Sequence, residues 1–125
     1  MGLESNFQSN ALEYLNSIPG CKAENVSGNS HQSGRPDITG CYEGRMFKIE
    51  LKSPDNKYEA SQKQRLELRK WGSVGCSTGI IYSMATLKEF MNTLKRAPGL
   101  VSNGAIHVTN PELNGCVSEY TVVGY

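Results

Sequence analysis

The chain has 125 residues, 38% of them hydrophobic, and a formal net charge of +1. That is the size of one domain with enough apolar content for one core. It contains no apolar run long enough to span a bilayer, and the near-neutral balance does not mark it as a bulk polyanion binder. The start lacks a basic segment followed by an apolar stretch, so the expected location is cytoplasmic, not secreted. Met1-Gly2 begins like a myristoylation site, but Asn6 stands where Ser or Thr is needed. Asn25-Val26-Ser27 fits a glycan acceptor by chance.

In chain order, residues 5 to 17 are predicted helical, with Phe7, Ala11, Leu12, Tyr14, Leu15 and Ile18 at helical spacing and Pro19-Gly20 as the stop. Residues 21 to 26 read as a strand, and residues 27 to 34 as a polar loop containing His31. Two strands follow, Ile38 to Tyr42 and Met46 to Lys52, with Glu43-Gly44 between them as a two-residue turn. Residues 53 to 58 form a loop. Ser61-Gln62-Lys63-Gln64 is a capping box that opens a helix to about Trp71, with Gln64, Leu68 and Trp71 on one side. Thr78 to Tyr82 is a strand whose apolar centre, Ile80-Ile81, suits an inner position. A second capping box, Thr86-Leu87-Lys88-Glu89, opens a helix to about Arg96, and Pro98-Gly99 ends it. Asn103-Gly104 and Asn114-Gly115 turns then flank short β-prone runs at 105 to 109 and 117 to 123.

The hairpin places chemistry. Met46, Lys48, Glu50 and Lys52 share one face of their strand, while Phe47, Ile49 and Leu51 share the other and call for a core. A turn centred on Glu43-Gly44 pairs Tyr42 with Arg45. Carried back along the ladder, it sets Asp37 opposite Glu50, roughly 5 Å apart at the β-carbons. Like charges so placed repel, and a cation between them relieves this. Lys52 stands two residues further on the same face. Pro36 occupies the first strand position, where its missing N–H costs no ladder bond, and it stiffens the entry through Arg35.

The four cysteines, Cys21, Cys41, Cys76 and Cys116, form no C-x-x-C pair and read as small buried residues in a reducing cytosol. Charge is uneven: residues 57 to 96 hold eight basic residues against three acidic ones. This basic middle could contact phosphates or be a set of solvated helix faces. Arg35, Lys57, Lys63 and Arg65 are the candidate DNA-phosphate contacts. His31 is assigned to a loop near DNA, His107 to structure, and Trp71 to the core.

In order, the chain presents an early Glu4, Ser33-Gly34-Arg35-Pro36-Asp37-Ile38, Glu43-Gly44-Arg45, Glu50-Leu51-Lys52, then a helix with Ser61 and Gln64, and Gly75 before a strand. This series resembles the PD-(D/E)xK nuclease superfamily, and more closely its VRR-NUC (virus-type replication-repair nuclease) family, over about residues 4 to 83. The resemblance implies an α/β, restriction-endonuclease-like fold with a mixed central sheet flanked by helices. The core would span about residues 4 to 97 of a single domain, with a C-terminal β-rich extension over about 98 to 125.

The resemblance further implies Mg²⁺- or Mn²⁺-dependent cutting of DNA, often at branched structures such as four-way junctions, by a homodimer in a bacterial or phage-infected cell. Asp37 and Glu50 would be metal ligands and Lys52 the catalytic amine. Glu4 would bind metal directly or through water, and Gln64 would orient water or the lysine. The chemistry agrees, since a hard cation takes carboxylate, carbonyl and water oxygens, and the Leu51 carbonyl lies between Glu50 and Lys52. Lys52 either stabilises developing charge or positions the attacking hydroxide. Glu4 could instead only complement its helix dipole, and Gln64 could instead cap Ser61. The competing functions are a non-cleaving branched-DNA module of the same fold, a site-specific restriction-type nuclease, and a structural dimer assembled through the tail.

Overall fold

The computed structural model of the chain describes residues 3–26, 36–52, 62–96, 106–109 and 117–122. The polar loop with His31, Arg35, the segment with Lys57, Ser61, Cys116 and the Pro98-Gly99, Asn103-Gly104 and Asn114-Gly115 turns lie outside the described residues. The elements are α1 (Leu3–Ser17), β1 (Cys21–Asn25), β2 (Ile38–Tyr42), β3 (Arg45–Leu51), α2 (Gln62–Ser73), β4 (Ser77–Ile81), α3 (Met84–Arg96), β5 (Ile106–Thr109) and β6 (Val117–Thr121). They build an α/β domain on one mixed six-stranded sheet of order β1-β2-β3-β4-β6-β5. Strands β1, β2 and β3 run as an antiparallel meander, β4 joins β3 in parallel, and β6 pairs antiparallel with both β4 and β5.

Local chemistry explains most of these elements. Ala11, Leu15 and Ile18 recur at helical spacing and are buried, which fixes the inner face of α1. The helix stops at Pro19-Gly20, where Gly20 takes φ 81°. The Asn16 amide then bonds both ways with the backbone of Ala23, accepting its N–H at 2.9 Å and donating to its carbonyl at 3.0 Å. A side chain thus satisfies part of the open edge of β1. Glu43 and Gly44 have φ 47° and 83°, the doubly positive backbone of a type I′ turn. That turn pairs Tyr42 with Arg45 and Ile38 with Ile49.

One face of the sheet packs on α1 and α3. Phe47, Ile49, Leu51 and Ile81 meet Leu15, Leu87, Phe90 and Met91 there. Phe90 contacts Phe47 and Tyr120 edge-to-face, with centroids 6.1 and 5.5 Å away. Arg45 is buried beside this layer because its guanidinium donates to the Leu94 carbonyl at 2.7 Å, occupying an acceptor in the last turns of α3. The other face carries α2 over a smaller cluster of Leu68, Ile80 and Tyr82.

Two features differ from the sequence reading. Helix α3 starts at Met84, not Thr86, because Ser83 is its cap: the Ser83 hydroxyl accepts the Thr86 N–H at 3.1 Å and also bonds the Thr86 hydroxyl. Thr86 is therefore buried within the first turn, not flanking it. The second concerns the residues expected as an extension beyond about 98. Strand β6 lies in the central sheet beside β4, and Tyr120 and Val122 are buried in the main core. Among the described residues no helix is long and apolar enough to cross a membrane.

Candidate active site

Strand alternation sends the side chains of β3 alternately to the α1/α3 layer and toward α2. Lys48 and Glu50 fall on the α2 side and are both buried. Asp37 stands one residue before β2, so the ladder that pairs Ile38 with Ile49 brings it level with Glu50. Its own backbone is held from the other side, where the Val26 N–H donates to the Asp37 carbonyl at 3.0 Å. The carboxylate Oδ2 then accepts the Leu51 N–H at 2.9 Å. The Asp37 side chain thereby closes the end of the β2–β3 ladder, which fixes its direction.

Glu50 is the centre of the site and is only 3% exposed. Its Oε1 accepts a hydrogen bond from Gln64 Nε2 at 2.9 Å and lies 3.9 Å from Lys52 Nζ. Its Oε2 is buried, and among the described residues no group donates a hydrogen bond to it. Burial pushes the Glu50 carboxyl up to about 9, and the charge of Asp37 adds to this, while Lys52 pulls it back. Glu50 thus keeps a proton at neutral pH unless a cation replaces it. Two buried carboxyls, one with an orphaned oxygen, can hold either a shared proton or a hard divalent ion.

Four of the expected residues thus come together: Asp37 before β2, Glu50 on β3, Lys52 just after it, and Gln64 on α2. Leu51, expected to offer its carbonyl, donates its N–H to Asp37. Glu4 lies in the first turn of α1, its side chain outside the described residues. Gln8, one turn later, accepts a hydrogen bond from Asn25 at 3.1 Å, which brings this part of α1 to the sheet end where Asp37 stands. Among the described residues no group of three His, Cys, Asp or Glu side chains is arranged to hold a metal. The site there is a carboxyl pair with an amide and an ammonium.

Of the candidate phosphate contacts, Lys63 is exposed on α2 and Arg65 is half-buried, while Arg35 and Lys57 lie outside the described residues. Sequence reasoning assigned Lys48 no role. Its ammonium bonds the Thr39 hydroxyl at 2.8 Å and lies 3.8 Å from the centroid of the Trp71 ring. Trp71, expected in the core, is half-buried and serves as the surface on which Lys48 rests. The signal for Lys48 was its shared face with Glu50; the partner that buries it lies on another element. Cys76, free and buried, has its thiol pushed up by burial, with Lys48 opposing.

Comparison with protein-family models, curated proteins and solved structures gave no match.

Proposed function

We propose that the protein is a metal-dependent endodeoxyribonuclease of restriction-endonuclease-like fold, hydrolysing phosphodiesters of branched DNA such as four-way junctions. One observation carries this reading: the buried Oε2 of Glu50, which receives no hydrogen bond from any described residue, beside the Asp37 carboxylate, with the Lys52 ammonium on the same strand end. A solely structural hairpin gains nothing from burying an unsatisfied carboxyl oxygen, which costs on the order of 1–3 kcal/mol or more. The preference for branched DNA, the homodimer and a cytoplasmic setting rest on the resemblance to VRR-NUC nucleases.

Asp37 and Glu50 would hold Mg²⁺ or Mn²⁺, with the Leu51 carbonyl and Glu4 as further ligands. The ion supplies a water of lowered pKa and offsets charge on the phosphate. The chain's own residues do the rest. The Leu51 N–H fixes Asp37, and Gln64 fixes Glu50 through Oε1, leaving Oε2 for the ion. Lys52 offers its ammonium to the phosphate oxygens or to the attacking oxygen. Arg35, Lys57, Lys63 and Arg65 contact neighbouring phosphates. Packing of α2 over Glu50 limits water at the carboxyl pair, which strengthens each of these interactions.

The test is digestion of labelled junction, flap and duplex DNA in Mg²⁺, Mn²⁺ or EDTA, with Lys52→Ala alongside. Cleavage should need the metal, and Lys52→Ala should lower it by about 10²-fold or more. Binding without cleavage, alike in both proteins, overturns the enzymatic reading in favour of a branched-DNA binding module.

A further inference from the structure

A groove of about 320 Å³ runs between α2 and strands β4 and β6, on the sheet face that carries Glu50. Its α2 wall presents Arg65 and Arg69, one helical turn apart, and then Gly72. Its floor presents Thr78, Ile80 and Thr121. Two guanidinium groups over two hydroxyls are a donor set for phosphate oxygens. Arg69 is exposed, with no hydrogen bond or ion pair to any described residue. Helix α2 as a whole carries four basic residues and one acidic residue.

The groove adjoins the carboxyl pair. Ile80 is the residue on β4 in register with Glu50, and Arg65 follows Gln64, which bonds Glu50. Neighbouring strands are about 4.8 Å apart, so a floor over β4 and β6 lies roughly 5–10 Å from Glu50. DNA places one phosphate per strand about every 3.4 Å of axis, so a strand cut at Glu50 would bring a nearby phosphate over this floor. Gly72 keeps the space open. A Cβ there would stand 4.0 Å from the Thr78 side chain, in ordinary contact, so a longer side chain would reach into the groove.

We infer that this groove is a second phosphate subsite, in which Arg65 and Arg69 hold a backbone phosphate of the same DNA strand within about three nucleotides of the one that is cut. The inference builds on the nuclease reading but concerns binding, so it is read in EDTA, where no cutting occurs. The measurement is DNA affinity against salt for wild type, Arg69→Ala, Gly72→Glu and, as a control on the same helix, Lys70→Ala, an exposed residue outside the groove lining. Folding of each is checked by circular dichroism, and Gly72→Glu replaces the poorest helix former but proline with a better one.

Arg69→Ala should weaken binding about fivefold and reduce the slope of log affinity against log salt by about one. Gly72→Glu, which sets a carboxylate in the groove, should weaken it further, and Lys70→Ala should do less than either. Inorganic phosphate at millimolar concentration should not reproduce the competition given by an unlabelled oligonucleotide, because the subsite serves a phosphate held in a chain. Equal effects of Lys70→Ala and Arg69→Ala, an unchanged Gly72→Glu variant, equal competition by free phosphate, or no DNA binding by wild type would each overturn the subsite. Groove-dependent binding with no cleavage in Mg²⁺ or Mn²⁺ would instead keep the subsite and remove the nuclease reading.

Discussion

Replacing Glu50 by Gln should stabilise the metal-free protein at neutral pH and abolish its response to divalent cations. The Glu50 carboxyl is raised from an ordinary value of 4.5 to about 9, chiefly by burial and then by the Asp37 charge. Between those two values the folded chain holds a proton that the unfolded chain has released. Stability therefore falls as pH rises through this window, by about 1.4 kcal/mol per pH unit for one fully uncoupled group. From pH 5 to pH 7 the loss is at most about 3 kcal/mol, since Asp37 shares the titration. A Gln at this position has the shape of the protonated acid, can still accept from Gln64 and titrates nowhere, so this part of the pH dependence should vanish. Urea unfolding in EDTA from pH 5 to pH 8, followed by the fluorescence of the single tryptophan, Trp71, measures it. In Mn²⁺ or Mg²⁺ the wild type should gain about 2.7 kcal/mol at a hundredfold excess over the dissociation constant, and the variant nothing. Parallel pH profiles for the two proteins, or equal stabilisation by metal, would refute the reasoning.

Gln64→Ala removes the donor to Glu50 Oε1 and should cost about 10–100-fold in metal affinity, read by calorimetric titration with Mn²⁺. Gly40→Ala should destabilise by about 1–3 kcal/mol in urea unfolding, because a Cβ at residue 40 would enter the Phe47 ring, which lies across it in the ladder. Glu43→Asn should stabilise by a few tenths of a kcal/mol or more in the same assay, since Asn tolerates the positive φ of the turn better than Glu.

What the sequence alone determined was set by short-range rules. Glu43-Gly44 fixes the hairpin register because a type I′ turn has one geometry, and that register is enough to bring Asp37 level with Glu50. Strand alternation did the same for Lys52, and helical spacing put Gln64, Leu68 and Trp71 on the side of α2 that faces the sheet. Tertiary structure decided matters that depend on which element lies across from which. Gln64 could cap its own helix or reach the sheet, and the packing of α2 sends its amide to Glu50. Lys48 is buried because Trp71, from a separate helix, covers it. The cap of α3 went to Ser83, three residues ahead of the expected box, where its hydroxyl accepts the Thr86 N–H while Thr86 itself is buried. The insertion of β6 between β4 and β5, which completes the groove beside the carboxyl pair, is a pairing of strands far apart in the chain. Such pairings depend on long-range burial, here of Tyr120 and Val122, and leave no local pattern to read.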